Sequence, residues 1–460
     1  MDLKTVILVL AVYFIRPQDW FSPLIGVGIV SPIMIVAIVA MVQRSRARQL
    51  PLAFLRSPLD WGMLAYYLYI SYTSDDFTGT LKAAFSLFAF YFVTVQALDS
   101  PARLITYLKA WMWAVFTLAM FGLLSLYGLD ITGAVPMTQS MEGRLALGTW
   151  MHNNPNALGH TVFTAIPLAY FLYFWKKGLT SKLAAWMVWV VAFQVIEQTQ
   201  SKGAVLAGFA TLVLSFAFGK PKIVQIIVLL LALGGGGAAI SVMPRMEKMG
   251  SLRSDEGVQG RLLVWEQART VMKNDATGQG WKTFIATIKW EKMWLSKATH
   301  SSYVKVGADL GYYGLFLYIG LLWMGFRALI RGPSENNELE RGRRCLFVLI
   351  CAYTLSNWMI DRAYHTEFFL FSAAICAFYR MQWQRKSESQ EGLAVNLPMQ
   401  WSAPSGMSPT AATGVLPARG LSVAVAPGLA MERPGLIDLA MASFGTWLIL
   451  YLWDYILINL

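Results

Sequence analysis

Apolar runs long enough to cross a bilayer follow one another along most of this chain, and their recurrence leaves few folds open to it. A span takes about 20 residues, and such runs lie near 4–16, 22–42, 58–74, 80–98, 103–128, 153–175, 182–199, 202–219, 223–243, 302–330, 344–361 and 365–383. Of the 460 residues, 56% are hydrophobic and only 14% charged, too few charges for a water-facing surface of this size. The chain therefore reads as all-α, a polytopic integral membrane protein with about 12 core transmembrane helices in residues 1–383. A further apolar segment at 436–460 offers a thirteenth, and its crossing of the membrane is left open. Between them, residues 384–435 are rich in Ser, Pro, Gly and Ala and read as a disordered cytoplasmic linker.

Orientation follows from the rule that short basic loops stay cytoplasmic. Five such loops carry Arg44 to Arg56, Lys176 to Lys182, Lys220 with Lys222, Arg327 to Arg344, and Arg380 to Lys386. An even number of spans separates each neighbouring pair, so all five fall on one side. The net charge of +12 is thus spent on topology, and nucleic acid is not an expected partner. Cys345, Cys351 and Cys376 sit in apolar runs without metal-ligand spacing and read as packing residues. The first apolar run lacks a small-residue cleavage site and reads as a retained helix.

The opposite side carries one large loop, 244–301, with ten Lys or Arg against six acids. Solvated faces of amphipathic helices such as "RLLVWEQARTVMK" explain basic residues there; a landing surface for a lipid diphosphate explains them more sharply. The loop ends at "ATHSSYVKVGADLGYYGL", where His300 opens an apolar helix that also holds Lys305 and Asp309. Asp309 lies ~13 Å along that helix from His300, too deep for contact, so its expected partner is Lys305 at i−4 and its role structural or positioning. Gly307, Gly311 and Gly314 are expected to share a face against which another helix packs closely.

In order, "HNNPNALGH", "QTQSKGAVLAG", "GRLLVWEQA", "GQGWKTF" and "THSSYVKVGADLGYYGL" resemble the signature of the O-antigen ligase and O-antigen polymerase superfamily, over residues from about 150 to 325. The residues that carry the likeness are Arg261, Trp265, Gly278, Gly280, His300, Asp309, Gly311 and Gly314. The pattern departs from the family at Lys202, where Arg is usual, and at Ser301, where Asn is usual. Lys keeps the charge but lacks the planar fork that matches phosphate oxygens.

That resemblance implies transfer of a polyprenyl-diphosphate-linked glycan to an acceptor hydroxyl on a glycan, a lipid A-core or a protein. It implies a bacterial inner membrane location, a periplasmic 244–301 loop and an active site facing the periplasm among membrane lipids. The chemistry asks for cations at the leaving diphosphate and a base at the hydroxyl. Arg261 and Lys202 are the expected diphosphate ligands and His300 the expected base, since an imidazole is readily neutral near neutral pH. No cofactor and no metal are expected. Glu197, Gln200, His152 and Arg362 are further candidates for lining or positioning. Each has an ordinary explanation: a helix-start His is commonly interfacial, Lys202 can snorkel, and Arg362 with Asp361 and His365 reads as a locally paired turn. A protein O-oligosaccharyltransferase differs only in acceptor. A polysaccharide exporter or flippase shares the helix count, but transporters usually carry paired repeats with Gly- or Pro-broken helices in matching positions, and this chain shows no such pairing and has instead one large basic external loop.

Overall fold

The computed structural model describes residues 2–48, 52, 54–132, 143–228, 230, 256–290, 293–330, 336–395 and 432–460. Helices α1 (Asp2–Ile15), α2 (Val30–Arg48), α3 (Pro58–Tyr72), α4 (Phe77–Ala97) and α5 (Pro101–Leu126) come first. After them run α6 (Pro155–Phe174), α7 (Leu179–Gln198) and α8 (Lys202–Ala217). The second half holds α9 (Glu256–Asn274), the strands β1 (Ala286–Trp290) and β2 (Met293–Lys297), α10 (Ser302–Ile330), α11 (Asn337–Ser356), α12 (Thr366–Val395) and α13 (Leu436–Asn459). Seven of these, α2, α4, α5, α6, α7, α10 and α13, are long and apolar enough to cross a membrane among the described residues. The expected count of about 12 is therefore not reproduced by that measure: α1, α3 and α8 are shorter.

Several expected boundaries move, each for a local reason. The run at 22–42 becomes a helix only at Val30, because Gly26 adopts φ +77° and a short 3-10 turn occupies Ser22–Leu24. The run at 153–175 is broken within α6, where Pro167 has no N–H to give the Phe163 carbonyl. That carbonyl takes the Ile166 N–H at 3.0 Å instead, and the helix closes on a wide turn over Tyr170–Phe174. The expected helix at 344–361 is Asn337–Ser356, opened by the Asn336 side chain accepting from Leu339 N at 2.9 Å. Helix α12 runs on to Val395, so the expected linker at 384–435 begins as helix, and residues 396–431 lie outside the described residues. Of the expected helix at 223–243, only the start is described, and 222–228 are helical. The all-α expectation is also relaxed by an antiparallel hairpin in which Ala286 pairs Lys297 and Trp290 pairs Met293.

One end of the bundle is stitched by buried ion pairs. Asp60 accepts from Arg380 at 2.8 Å and from the Tyr91 hydroxyl at 2.9 Å, joining α3, α4 and α12. Asp2 pairs with Arg44 and Arg103, and Arg343 donates to the Leu329 carbonyl at 2.8 Å. Arg16 and His300 sit at the other ends of α1 and α10, and Lys202 at the other end of α8, whose closing Phe218 carbonyl accepts from Arg344 at 3.2 Å. The basic loops thus gather at one end, as the parity of the spans anticipates.

Helix α13 lies antiparallel along α10. Asp438 takes Trp323 Nε1 at 3.1 Å and pairs with Arg327, while Asp454 accepts from Arg269 Nε and Nη2 of α9, each at 2.8 Å. The helix is held at both ends, and its 24 residues reach roughly 36 Å at 1.5 Å each, enough for a full crossing.

The glycine reading needs correction. Gly307 does admit neighbours closely, with Met272 of α9 and Trp453 of α13 against it. Gly311 instead breaks α10, at φ 64° and ψ −160°. A Cβ there would fall deep inside contact with the Ala276 carbonyl, which accepts Tyr312 N at 2.9 Å. Gly314 meets its own helix at Leu310. Only glycine holds the Gly311 conformation without strain. Gly311→Ala should lower the thermal midpoint sharply, a cost of at least about 1–3 kcal/mol, whereas Gly320→Ala, whose nearest neighbour is Ala442 at 3.5 Å, should be tolerated. Equal melting curves for both variants would contradict this account of the break.

Candidate functional site

The lip of α10 is built from its own cap. Ser301 is the N-cap: its carbonyl takes Lys305 N at 3.0 Å and its hydroxyl donates to the Asn357 carbonyl at 3.0 Å. The Ser302 hydroxyl donates to the Ile360 carbonyl at 3.0 Å and accepts Arg362 N at 2.9 Å. The corner 357–362 is thereby fastened to the two residues after His300. Ser301, the departure from the family's Asn, is fully buried in this role. His300 itself adopts φ 49°, a left-handed conformation that non-glycine residues rarely take and that clusters at functional positions.

Helix α9 docks on this lip. Trp265 Nε1 donates to the Thr299 carbonyl at 2.8 Å, and its ring lies 5.7 Å from Trp358, which in turn packs on Tyr303. The missing side chain of Gly260 leaves room for Lys297, whose Nζ would stand 2.9 Å from a Cβ there. Arg261 follows directly and acts electrostatically on His300 together with Lys297. Burial first, then these two cations, push the His300 imidazole down to about 4. It is neutral across the neutral range, and an anion placed against Arg261 and Lys297 would offset their field and raise its basicity.

Lys202 opens α8 behind the Ser201 cap, next to Gly203, whose space is bounded by His160 Nε2 and Met359. Met359 belongs to the corner fastened to Ser302, and Arg261 also acts electrostatically on His160. The start of α8, the lip and α9 therefore meet at one corner, through Gly203 on Met359, Ser302 on Ile360 and Trp265 on Trp358. Gln200 sits in the turn before Lys202 at φ 49° and donates to the Glu197 carbonyl, and Glu197 is exposed. Arg144 was not singled out in the sequence. It donates to the Thr199 carbonyl and to Asn156, both at 2.9 Å, and ties the 143–156 segment to the same turn. Lys297 was counted only among the loop cations; a strand ending three residues before His300 is the signal that places it.

The remaining candidates serve as supports or lie elsewhere. Asp309 is wholly buried; it accepts Phe284 N at 2.8 Å, Lys282 N at 3.1 Å and Lys305 Nζ at 3.1 Å. Lys305 also donates to the Phe284 carbonyl at 2.7 Å. Arg362 pairs with Glu367 and donates to Ala157 and Thr161 of α6, at 2.7 and 2.6 Å. His152 is buried, with Nδ1 on Thr149 at 3.0 Å, and Asn154 caps α6. Burial, then Arg362, Arg16 and His365, hold the His152 imidazole low.

Because the folded His300 is depressed below its unfolded value of 6.5, the unfolded chain binds the extra proton first as pH falls. Its contribution to stability is complete above 6.5 and is lost as pH drops toward 4. Histidine-labelled NMR should show one resonance titrating near 4 that moves upward in Arg261→Gln. A His300 titration at 6.5, unmoved by the substitution, would separate the two residues.

No curated protein matches the chain. Residues 186–319 match a family model described as O-Antigen ligase. The matched stretch contains Lys202, Arg261, Lys297, His300 and Asp309 and ends before Asp361 and Arg362. It supports placing this multi-helix chain in the O-antigen ligase and polymerase superfamily.

Proposed function

We propose that the chain is a glycosyltransferase that moves a glycan from a polyprenyl diphosphate to an acceptor hydroxyl at the periplasmic face of the inner membrane. The observation that carries the reading is the neutral, left-handed His300 held beside Arg261 and Lys297 within the matched stretch. In this reading the acceptor oxygen attacks the anomeric carbon and the bond from that carbon to the diphosphate oxygen breaks. The leaving electron pair goes to the diphosphate, whose charge Arg261, Lys202 and Lys297 offset. The hydroxyl proton goes to His300. Diphosphate binding and base strength are then coupled, because the anion that fills the cationic wall relieves the field that keeps the imidazole weak.

Purified variants with a defined lipid-linked donor test these roles. His300→Ala should abolish transfer while leaving abundance and membrane insertion intact. Lys202→Gln should lose activity by about 10²-fold, whereas Lys202→Arg should keep it or raise it, since guanidinium offers two parallel donors. Activity should survive chelation of divalent cations. Full activity in His300→Ala removes the base, and full activity in Lys202→Gln removes the cation.

A further inference from the structure

A cavity of about 420 Å³ lies away from His300, Arg261 and Lys202, between α1, α2, α4 and the 361–366 corner. Its volume falls within the range of about 300–1,000 Å³ typical of small-molecule sites. One half is hydrocarbon: Val9 and Val12 of α1, Val30 and Ile33 of α2, Leu87 and Phe90 of α4. The other half is polar, with Arg16, Gln18, Lys282, Lys305, Asp361 and His365. Four polar atoms of its lining residues, the Tyr13 and Tyr364 hydroxyls, Gln18 Oε1 and Asp361 Oδ1, are buried without a hydrogen-bond partner. A buried polar atom left unpaired costs about 1–3 kcal/mol, a cost that a bound polar partner would relieve at each of the four.

We propose that this cavity binds the acceptor as a hydroxylated amphiphile, its saccharide head against Gln18, Asp361 and Tyr13 and its hydrocarbon along α1, α2 and α4. Gln18 Oε1 only accepts, while the two tyrosine hydroxyls and the Asp361 carboxyl can both give and accept, which suits a polyhydroxylated head; of the cations beside them, Arg16 is held by Asp19 and Lys305 by Asp309. Burial raises the Asp361 carboxyl to about 7, so it holds hydroxyls near neutral pH without presenting a full charge to the membrane. The placement also fits two substrates. The Ile360–Arg362 backbone is bonded to Ser302, two residues past His300, so the cavity and the cationic wall flank one helix start.

The inference rests on the transfer reading, and its test separates the two. The full chain in phosphatidylcholine nanodiscs is photolabelled, without donor, by an alkyl glucoside bearing a diazirine on its chain. An alkylphosphocholine with the same diazirine is the control. The glucoside should label α1 and α2 peptides and be competed by plain alkyl glucoside. Ile33→Trp, which fills the hydrocarbon half, and Gln18→Leu, which removes an acceptor, should each cut labelling about tenfold, the loss of roughly 1.4 kcal/mol of binding. Equal labelling by the phosphocholine probe, or undiminished labelling in both variants, overturns the site. Labelling as expected in a protein that transfers no glycan would sink the reaction and leave the site standing.

Discussion

Asp309 is the interaction on which the rest depends. A carboxylate buried in an apolar helix is tolerated only when fully paired, and this one gathers two loop amides and an ammonium. Those amides belong to the segment that leaves α9 and leads into the hairpin. Beside them, Gly280 N bonds the Asp309 carbonyl at 2.7 Å, and Gly278 and Gly311 together allow backbone to lie on backbone. The break in α10 is thus an anchor for the long loop. From that anchor α9 is held across the lip, which brings Arg261 and Lys297 to His300.

The proposed reaction is consistent with how charge is placed at the two ends of the bundle. At the far end, every buried Arg described above has a carboxylate or carbonyl partner within the bundle. At the lip, Arg261 and Lys297 act together on a neutral imidazole. Helix α13 contributes by bracing α9 through Asp454 and α10 through Asp438, so the C-terminal segment is a strut for the lip.

Much of this was legible in the sequence because it rests on local rules. The apolar runs, the basic loops, the i−4 pairing of Lys305 with Asp309, and the ordered motifs around His300 depend on spacing alone. What escaped depends on tertiary contact. Gly311 reads as a packing glycine until Ala276 is seen against it; nothing local announces a left-handed break inside an apolar helix. Arg144 sits in a segment without periodicity, and its partners, Thr199 and Asn156, are 55 and 12 residues away. The run at 153–175 reads as one helix, and the shifted hydrogen bond around Pro167 shows only where its neighbours pack. The cavity of α1, α2 and α4 joins residues from 9 to 366, a grouping no linear motif encodes.

The central claim is that this chain makes a glycosidic bond at the expense of a lipid diphosphate. Reconstituted in liposomes with a polyprenyl-diphosphate glycan of known mass and a defined hydroxyl acceptor, it should release one polyprenyl diphosphate for each acceptor glycosylated, as counted by mass spectrometry of both products. Donor that crosses the bilayer unaltered, with no new glycosidic bond, would contradict the account and mark the chain as a transporter.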